Sequence, residues 1–430
     1  MDSDGFKPVP RLHLDTDLGD GVTSCFTEDH GSCSERPPSN STTSTRCPDF
    51  RDKEELQLFV LVHGICGSAD DWSEWIERIR CRQHPNWIVV AASRITPECQ
   101  FIASRLEALA KLLSEEVSDI LQELLSDEET SRDEESDALS LRTRYQYFGH
   151  SAAVGSGSRV TLNFLCHSLG GLITRASLPE ISKLPALEAG QVTLGSFVTL
   201  NSPHLGTCPS SAVTAWKGLC RFNELHRQIN LLDARLGAHS EDLGLLEKLA
   251  EPSSEFHEVL LMFQHRTAVA ATRWDIIVPF CSAAICPTNP FPSTSPTQPA
   301  FWRIDAALDF EESSVLAREV EENACEIWKS SMLEFDTSTV DSSEIHTWHT
   351  ERRVQFPMSM YRNLTSACWR RVAFTVHHVG AQVHTFSLGK QQVSAHVHKW
   401  SIEFIDTLLD MIEEDSGDEV HACKSYKSLC

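Results

Sequence analysis

VTLNFLCHSLGG, residues 160–171, contains the change of backbone on which the fold turns: an apolar run from Val160 to Cys166 stops at His167-Ser168-Leu169-Gly170-Gly171, and ITRASL continues helically. A run this apolar reads as a strand buried on both faces, as parallel strands are. A sharp strand-to-helix turn crowds the two backbones, so it needs small residues two before and two after its centre, and it lifts the central side chain into the open. Gly170 meets the second requirement. Cys166 stands where glycine is usual, yet it is compact. Ser168 is therefore the candidate nucleophile. Gly149-His150-Ser151-Ala152-Ala153 offers a similar spacing, but no apolar strand precedes it.

The same punctuation recurs on both sides. Leu56 to Val62 (LQLFVLV) is a second continuous apolar run and ends at His63-Gly64-Ile65. A helix is predicted over about 70–82 and a strand over Trp87 to Ala92. Ile102, Leu106, Leu109, Leu113, Val117, Ile120 and Leu124 then recur at helical spacing. Downstream come a strand at Val192 to Leu200, a long helical and polar stretch to about 265, and a strand at Ala268 to Thr272 that leads to Trp274-Asp275. Arg371 to Val379 reads as the last strand, and Val393, Val397, Trp400, Phe404, Leu408 and Ile412 as one amphipathic helix. Strands alternating with helices over this length predict an α/β chain with a doubly wound, mostly parallel sheet.

Composition narrows the partners. The 430 residues are 41% hydrophobic, enough for one large core, and 37 basic against 61 acidic residues give a net charge of −24. That field repels phosphodiester backbones, so no nucleic-acid partner is expected, and it disfavours anionic membranes. The 15 cysteines are scattered singly without paired CxxC motifs, which reads as buried reduced thiols rather than a disulfide framework or a zinc site. No basic-then-apolar leader and no apolar run of about 18 residues is present, so no transmembrane segment is expected and a soluble, cytoplasmic chain is. Residues 1–52 read as a disordered, acidic, Ser/Thr-rich tail, 53–415 as one domain with an insertion at 281–365, and 416–430 as a flexible tail. Residues 208–262 could form a helical cap, with Trp216, Leu219, Phe222, Leu231, Leu232 and Leu236 as an apolar face against an acyl chain or the body of the domain.

Acyl transfer places negative charge on a carbonyl oxygen, and two preorganised backbone N–H groups are needed to hold it. Leu169, at the helix start, offers one; Ile65, after the first strand, offers the other. LVHGICGSADDW, FLCHSLGGLITRASLP and FVTLNSPHLGT together resemble, in order, three blocks of the lipase-like serine esterases of the α/β-hydrolase superfamily, a family formerly filed as a domain of unknown function. The resemblance covers about residues 56–207. The third block, Asn201-Ser202-Pro203-His204-Leu205-Gly206, favours this family in particular, and His204 within it reads as structural.

The resemblance implies an α/β-hydrolase fold, a Ser-His-acid triad in the chain order Ser, acid, His, an ester substrate and no metal or organic cofactor. Asp275 is the candidate acid because an apolar strand delivers it; Asp305 and Asp309 lie in a helix-like stretch. For the base, His377 and His378 continue the last strand, and His396 and His398 fall in the final helix. His384 follows the strand end at Val379-Gly380 and precedes that helix, which makes it the first choice, with His378 next. The expected activity is hydrolysis of carboxylic esters, lipid acyl esters in particular, with transient contact at a lipid surface. A catalytically silent hydrolase fold used for binding, and a peptidase or thioesterase with the same triad, are the competing readings.

Overall fold

Side chains alternate across a strand, and here the alternation divides the apolar residues between two layers. In β1 (Glu55–Val62), Leu56, Leu58, Val60 and Val62 enter one buried cluster, whereas Phe59 and Leu61 enter another. β3 (Arg159–His167) repeats this, with Val160, Leu162, Phe164 and Cys166 on the first side and Leu165 on the second. Both faces are covered, which is why these strands read as unbroken apolar runs. Each such buried Val, Leu or Phe contributes about 1.5–3 kcal/mol.

The computed structural model describes residues 55–103, 105–126, 159–207, 224–231, 243–287, 289, 291, 302–308, 357–376, 382–390 and 394–417. The remaining strands are β2 (Trp87–Ala91), β4 (Val192–Leu200), β5 (His265–Ala271), β6 (Trp302–Leu308) and β7 (Arg370–Val376). They form one seven-stranded sheet in the order β2-β1-β3-β4-β5-β7-β6, parallel throughout except for the antiparallel edge strand β6.

Helix α1 (Ser73–Arg82) packs with the long C-terminal helix on the face that holds Phe59 and Leu61. Helix α2 (Pro97–Ala103) precedes α3 (Leu106–Leu125), which packs with α4 (Leu169–Ser182) on the opposite face. The chain therefore winds one way from β1 to β2 and the other way from β3 onward. Such a reversal opens a crevice at the carboxyl ends of the adjacent strands β1 and β3. His63-Gly64-Ile65 and Ser168 both lie there.

Local outcomes follow the same physics. The helix expected over 70–82 begins as a 3-10 turn at Ala69–Trp72 before α1. Asp305 is not in a helix: it lies on β6, at the irregularity in the pairing with β7 between Ile304 and Ala306. Glu224–Ile229, Leu245–Ala250 and Glu255–Leu261 are short helices, and Leu225, Ile229, Leu246 and Leu249 join the core on the α4 side. Leu231 packs against that core as well, while Trp216, Leu219, Phe222, Leu232 and Leu236 lie outside the described residues. So do 1–54, 127–158, most of 281–365, His377, His378 and Asp309.

Candidate active site

Ser168 sits in the bend between β3 and α4 with φ 52° and ψ −123°, a conformation that side chains rarely adopt. Holding it costs of order 1–3 kcal/mol, which the surrounding structure must supply. Its N–H donates to the Leu200 carbonyl (2.9 Å), so the end of β4 fixes the bend from one side. The glycine two residues on fixes it from the other. A methyl group at Gly170 would lie 2.2 Å from the Val62 carbonyl oxygen and 2.8 Å from that of His63, both backbone atoms that cannot step aside. Gly170→Ala is accordingly expected to cost about 3 kcal/mol by overpacking and to lower the thermal midpoint by roughly 4 °C; an unchanged melting curve would contradict this close approach. Cys166 is tolerated at the other flank because its side chain points into the α4 layer. There its Sγ meets Thr174 Oγ1 (3.2 Å), and burial pushes the thiol pKa up to about 12.

The acid and the histidine arrive from different elements. Asp275 follows β5, and its Oδ1 accepts the N–H groups of Ile277 (3.0 Å) and Val278 (2.9 Å). That leaves Oδ2 free to face the histidine. His384 lies in the short helix α5 (Val383–Phe386), anchored by the buried Val383 and Phe386 and by Trp75 of α1, whose Nε1–H donates to the Ser387 carbonyl (2.7 Å). Ser401, in helix α6 (Ala395–Gly417), donates to the Phe386 carbonyl.

The structure joins these three side chains in one line. His384 Nδ1–H donates to Asp275 Oδ2 at 2.7 Å, and Ser168 Oγ–H donates to His384 Nε2 at 2.8 Å. A carboxylate only accepts, so the tautomer with the proton on Nδ1 follows, with the Nε2 lone pair turned to the hydroxyl. Such a chain can take up the hydroxyl proton. Ser168 is 3% exposed, and the hydrogen bonds work in a medium of low dielectric.

The two amides considered for an oxyanion site belong to segments that adjoin Ser168. Leu169 is the first residue of α4, and a first-turn N–H has no carbonyl partner within its helix. Ile65 follows Gly64, whose missing side chain lets the loop pass over the nucleophile: a methyl there would lie 2.8 Å from Ser168 Cβ.

Other candidates sit elsewhere. Asp305 is buried, bonded to Thr375 and Thr272 and paired with Arg303, and burial raises its pKa. His396 is exposed on α6, and His398 reaches towards Glu74. His204 is buried in the block after β4, against Trp369 and bonded to Thr199 (2.9 Å). Among the described residues, no group of three or more His, Cys, Asp or Glu side chains is arranged to hold a metal ion.

Two contacts at this site went unread in the sequence. His167 Nε2–H donates to the His384 carbonyl (2.8 Å), and Asn201 Nδ2 donates to the same oxygen (3.4 Å). Burial, and then the neighbouring His384, hold the His167 imidazole far below its ordinary pKa, so it is a neutral donor. Both residues stand in the quoted blocks, but nothing in their spacing says which carbonyl they grip.

Residues 52–288, more than half of the chain, match the family described as Putative serine esterase (DUF676). The chain belongs to that family. Its mostly parallel seven-stranded sheet is the doubly wound α/β arrangement that the alternating apolar runs predict. No curated protein matches the chain. Among solved structures, phospholipase PlaB from Legionella pneumophila is 13% identical with a TM-score of 0.27, over 51% of this chain and 38% of that one. An extracellular α/β-hydrolase from a Paenibacillus species is 15% identical with a TM-score of 0.21, over 38% of this chain and 51% of that one.

Proposed function

We propose that this DUF676 member cleaves carboxylic esters with Ser168 as nucleophile, His384 as general base and then acid, and Asp275 as the group that fixes the imidazole tautomer and stabilises the imidazolium. The observation that carries the proposal is the unbroken line from Asp275 Oδ2 through His384 to Ser168 Oγ, with links of 2.7 and 2.8 Å. His384 Nε2 takes the hydroxyl proton as Oγ attacks the acyl carbonyl. The oxygen that turns negative is held by the N–H groups of Ile65 and Leu169. Collapse of that intermediate expels the alcohol, which takes the proton from His384, and leaves the acyl group on Ser168. Water, deprotonated by the same imidazole, then releases the acid. The test is mass spectrometry of the full chain after exposure to a fluorophosphonate: one adduct on Ser168 is expected, and well-folded protein that stays unlabelled would favour a silent hydrolase fold used for binding.

Lipid acyl esters are the substrate class we favour within that activity. Trp274, Ile276 and Ile277 are 53, 43 and 37% exposed and surround the acid in the loop after β5, three of the six large apolar side chains that are exposed among the described residues. Trp274 is held outward at φ 62°, a conformation unfavourable for a bulky residue. Tryptophan suits the boundary between headgroups and acyl chains, and a chain of net charge −24 fits a zwitterionic surface better than an anionic one. Trp274→Ser combined with Ile276→Ser is expected to slow hydrolysis of a long-chain ester carried in phosphatidylcholine vesicles about tenfold, the loss of roughly 1.4 kcal/mol of apolar transfer. The rate on a soluble short-chain ester should stay within about twofold. Equal losses on both substrates would remove the argument for lipid. Among the described residues no helix is long and apolar enough to cross a membrane.

A further inference from the structure

Gly64, Ile65, Cys66 and Gly67 form the turn that carries one of the two oxyanion amides. Gly67 N–H donates to the Gly64 carbonyl (3.2 Å), and Cys66 lies at φ 55°. One buried side chain from another element grips this turn. Gln100, on α2 and 3% exposed, donates through Nε2–H to the Gly64 carbonyl (3.0 Å) and accepts the Cys66 N–H at Oε1 (2.5 Å). Its amide nitrogen and its oxygen each hold one of the peptides before and after Ile65.

We propose that Gln100 is a positioning residue for the oxyanion site: it holds the Gly64–Ile65 peptide in the orientation that turns the Ile65 N–H toward Ser168. The reason is the geometry of the peptide unit. In a trans peptide the C=O of one residue and the N–H of the next point in opposite directions. The Gly64 carbonyl is drawn to Gln100, so the Ile65 N–H of the same plane is directed away from Gln100. Gly64 meanwhile lies against Ser168, with only 2.8 Å between a built methyl position and Ser168 Cβ. Rotation of that plane would exchange a donor for a carbonyl oxygen at the place where negative charge develops, turning attraction into repulsion. Among the described residues no hydrogen bond joins Gln100 to Ser168 or His384; it acts through the turn. The inference rests on the role proposed above for Ile65.

Gln100→Met keeps the length of the side chain and removes both hydrogen bonds, and Gln100→Asn keeps the amide but withdraws it by one methylene. Rates on a soluble ester are normalised to sites titrated by a fluorophosphonate during prolonged exposure. Removing one oxyanion donor outright costs about 10²–10³ in kcat, so a donor that is misdirected part of the time should lower kcat about 10- to 100-fold. KM should stay within about twofold, and affinity for a boronic acid that forms a tetrahedral adduct on Ser168 should fall in step with kcat/KM. Wild-type kcat in both variants would overturn the proposal. So would a loss seen only as fewer titratable sites, or failure of both variants to fold, since a merely structural role predicts those results. Wild-type protein that is not labelled at all would instead overturn the hydrolase mechanism on which the inference stands.

Discussion

Ser168→Ala is expected to lower kcat on any ester by about 10⁶-fold while leaving KM and the thermal midpoint close to wild type. The size follows from what is removed: with no hydroxyl there is no acyl-enzyme, and what remains is the stabilisation offered by the amides of Ile65 and Leu169, worth about 10³–10⁴ over water in serine hydrolases that have lost their nucleophile. Stability should hold, because the deleted oxygen makes one hydrogen bond, to His384 Nε2, and the strained backbone of the bend is set by Leu200 and Gly170 rather than by the side chain. Relief of that strain does not offset the loss, since alanine meets the same steric conflict at φ 52°. The measurement is steady-state hydrolysis of a soluble ester beside a fluorophosphonate labelling gel. Retention of more than about 1% of the wild-type rate would mean that another group performs the attack.

Much of the scaffold was legible because it is written in hydrophobic runs. Strands covered on both faces cannot alternate polar with apolar, and LQLFVLV, VTLNFLC and the segment Val192 to Leu200 end where the sheet's carboxyl edge begins. The bend at Ser168 was legible because crowding forces small residues there. The edge strand β6 was not: Arg303 and Asp305 form an ion pair beside Thr375, and a stretch containing an acid and several alanines reads as helix until that pairing is known. Asp275 could be chosen by its strand, whereas His384 lies on a four-residue helix with no periodicity, and its place is set by tertiary contacts from Trp75, Ser401 and His167. Gln100 left no sequence signal at all. A lone glutamine on a short helix announces nothing until the turn it grips is folded against it.

The histidine and its acid should separate by the size of their effects. His384→Ala removes the only acceptor for the Ser168 proton among the described hydrogen bonds and is expected to cost about 10⁶-fold in kcat. Combined with Ser168→Ala it should cost almost nothing further, because the two side chains act as one unit. His396→Ala, on the exposed face of α6, should stay within about twofold. Asp275→Asn tests the tautomer. Oδ1 of Asp275 accepts two N–H groups, from Ile277 and Val278, so an asparagine must place its carbonyl oxygen there and turn its NH₂ toward His384. The ring nitrogen that faces it then has to accept, the proton moves to Nε2, and the lone pair that served Ser168 is lost. A fall of about 10⁴-fold is expected, with the fold intact. A loss below about tenfold would show that the bonds from His167 and Asn201 to the His384 carbonyl suffice to orient the imidazole without the carboxylate, and Asp275 would then be a structural residue of its own loop.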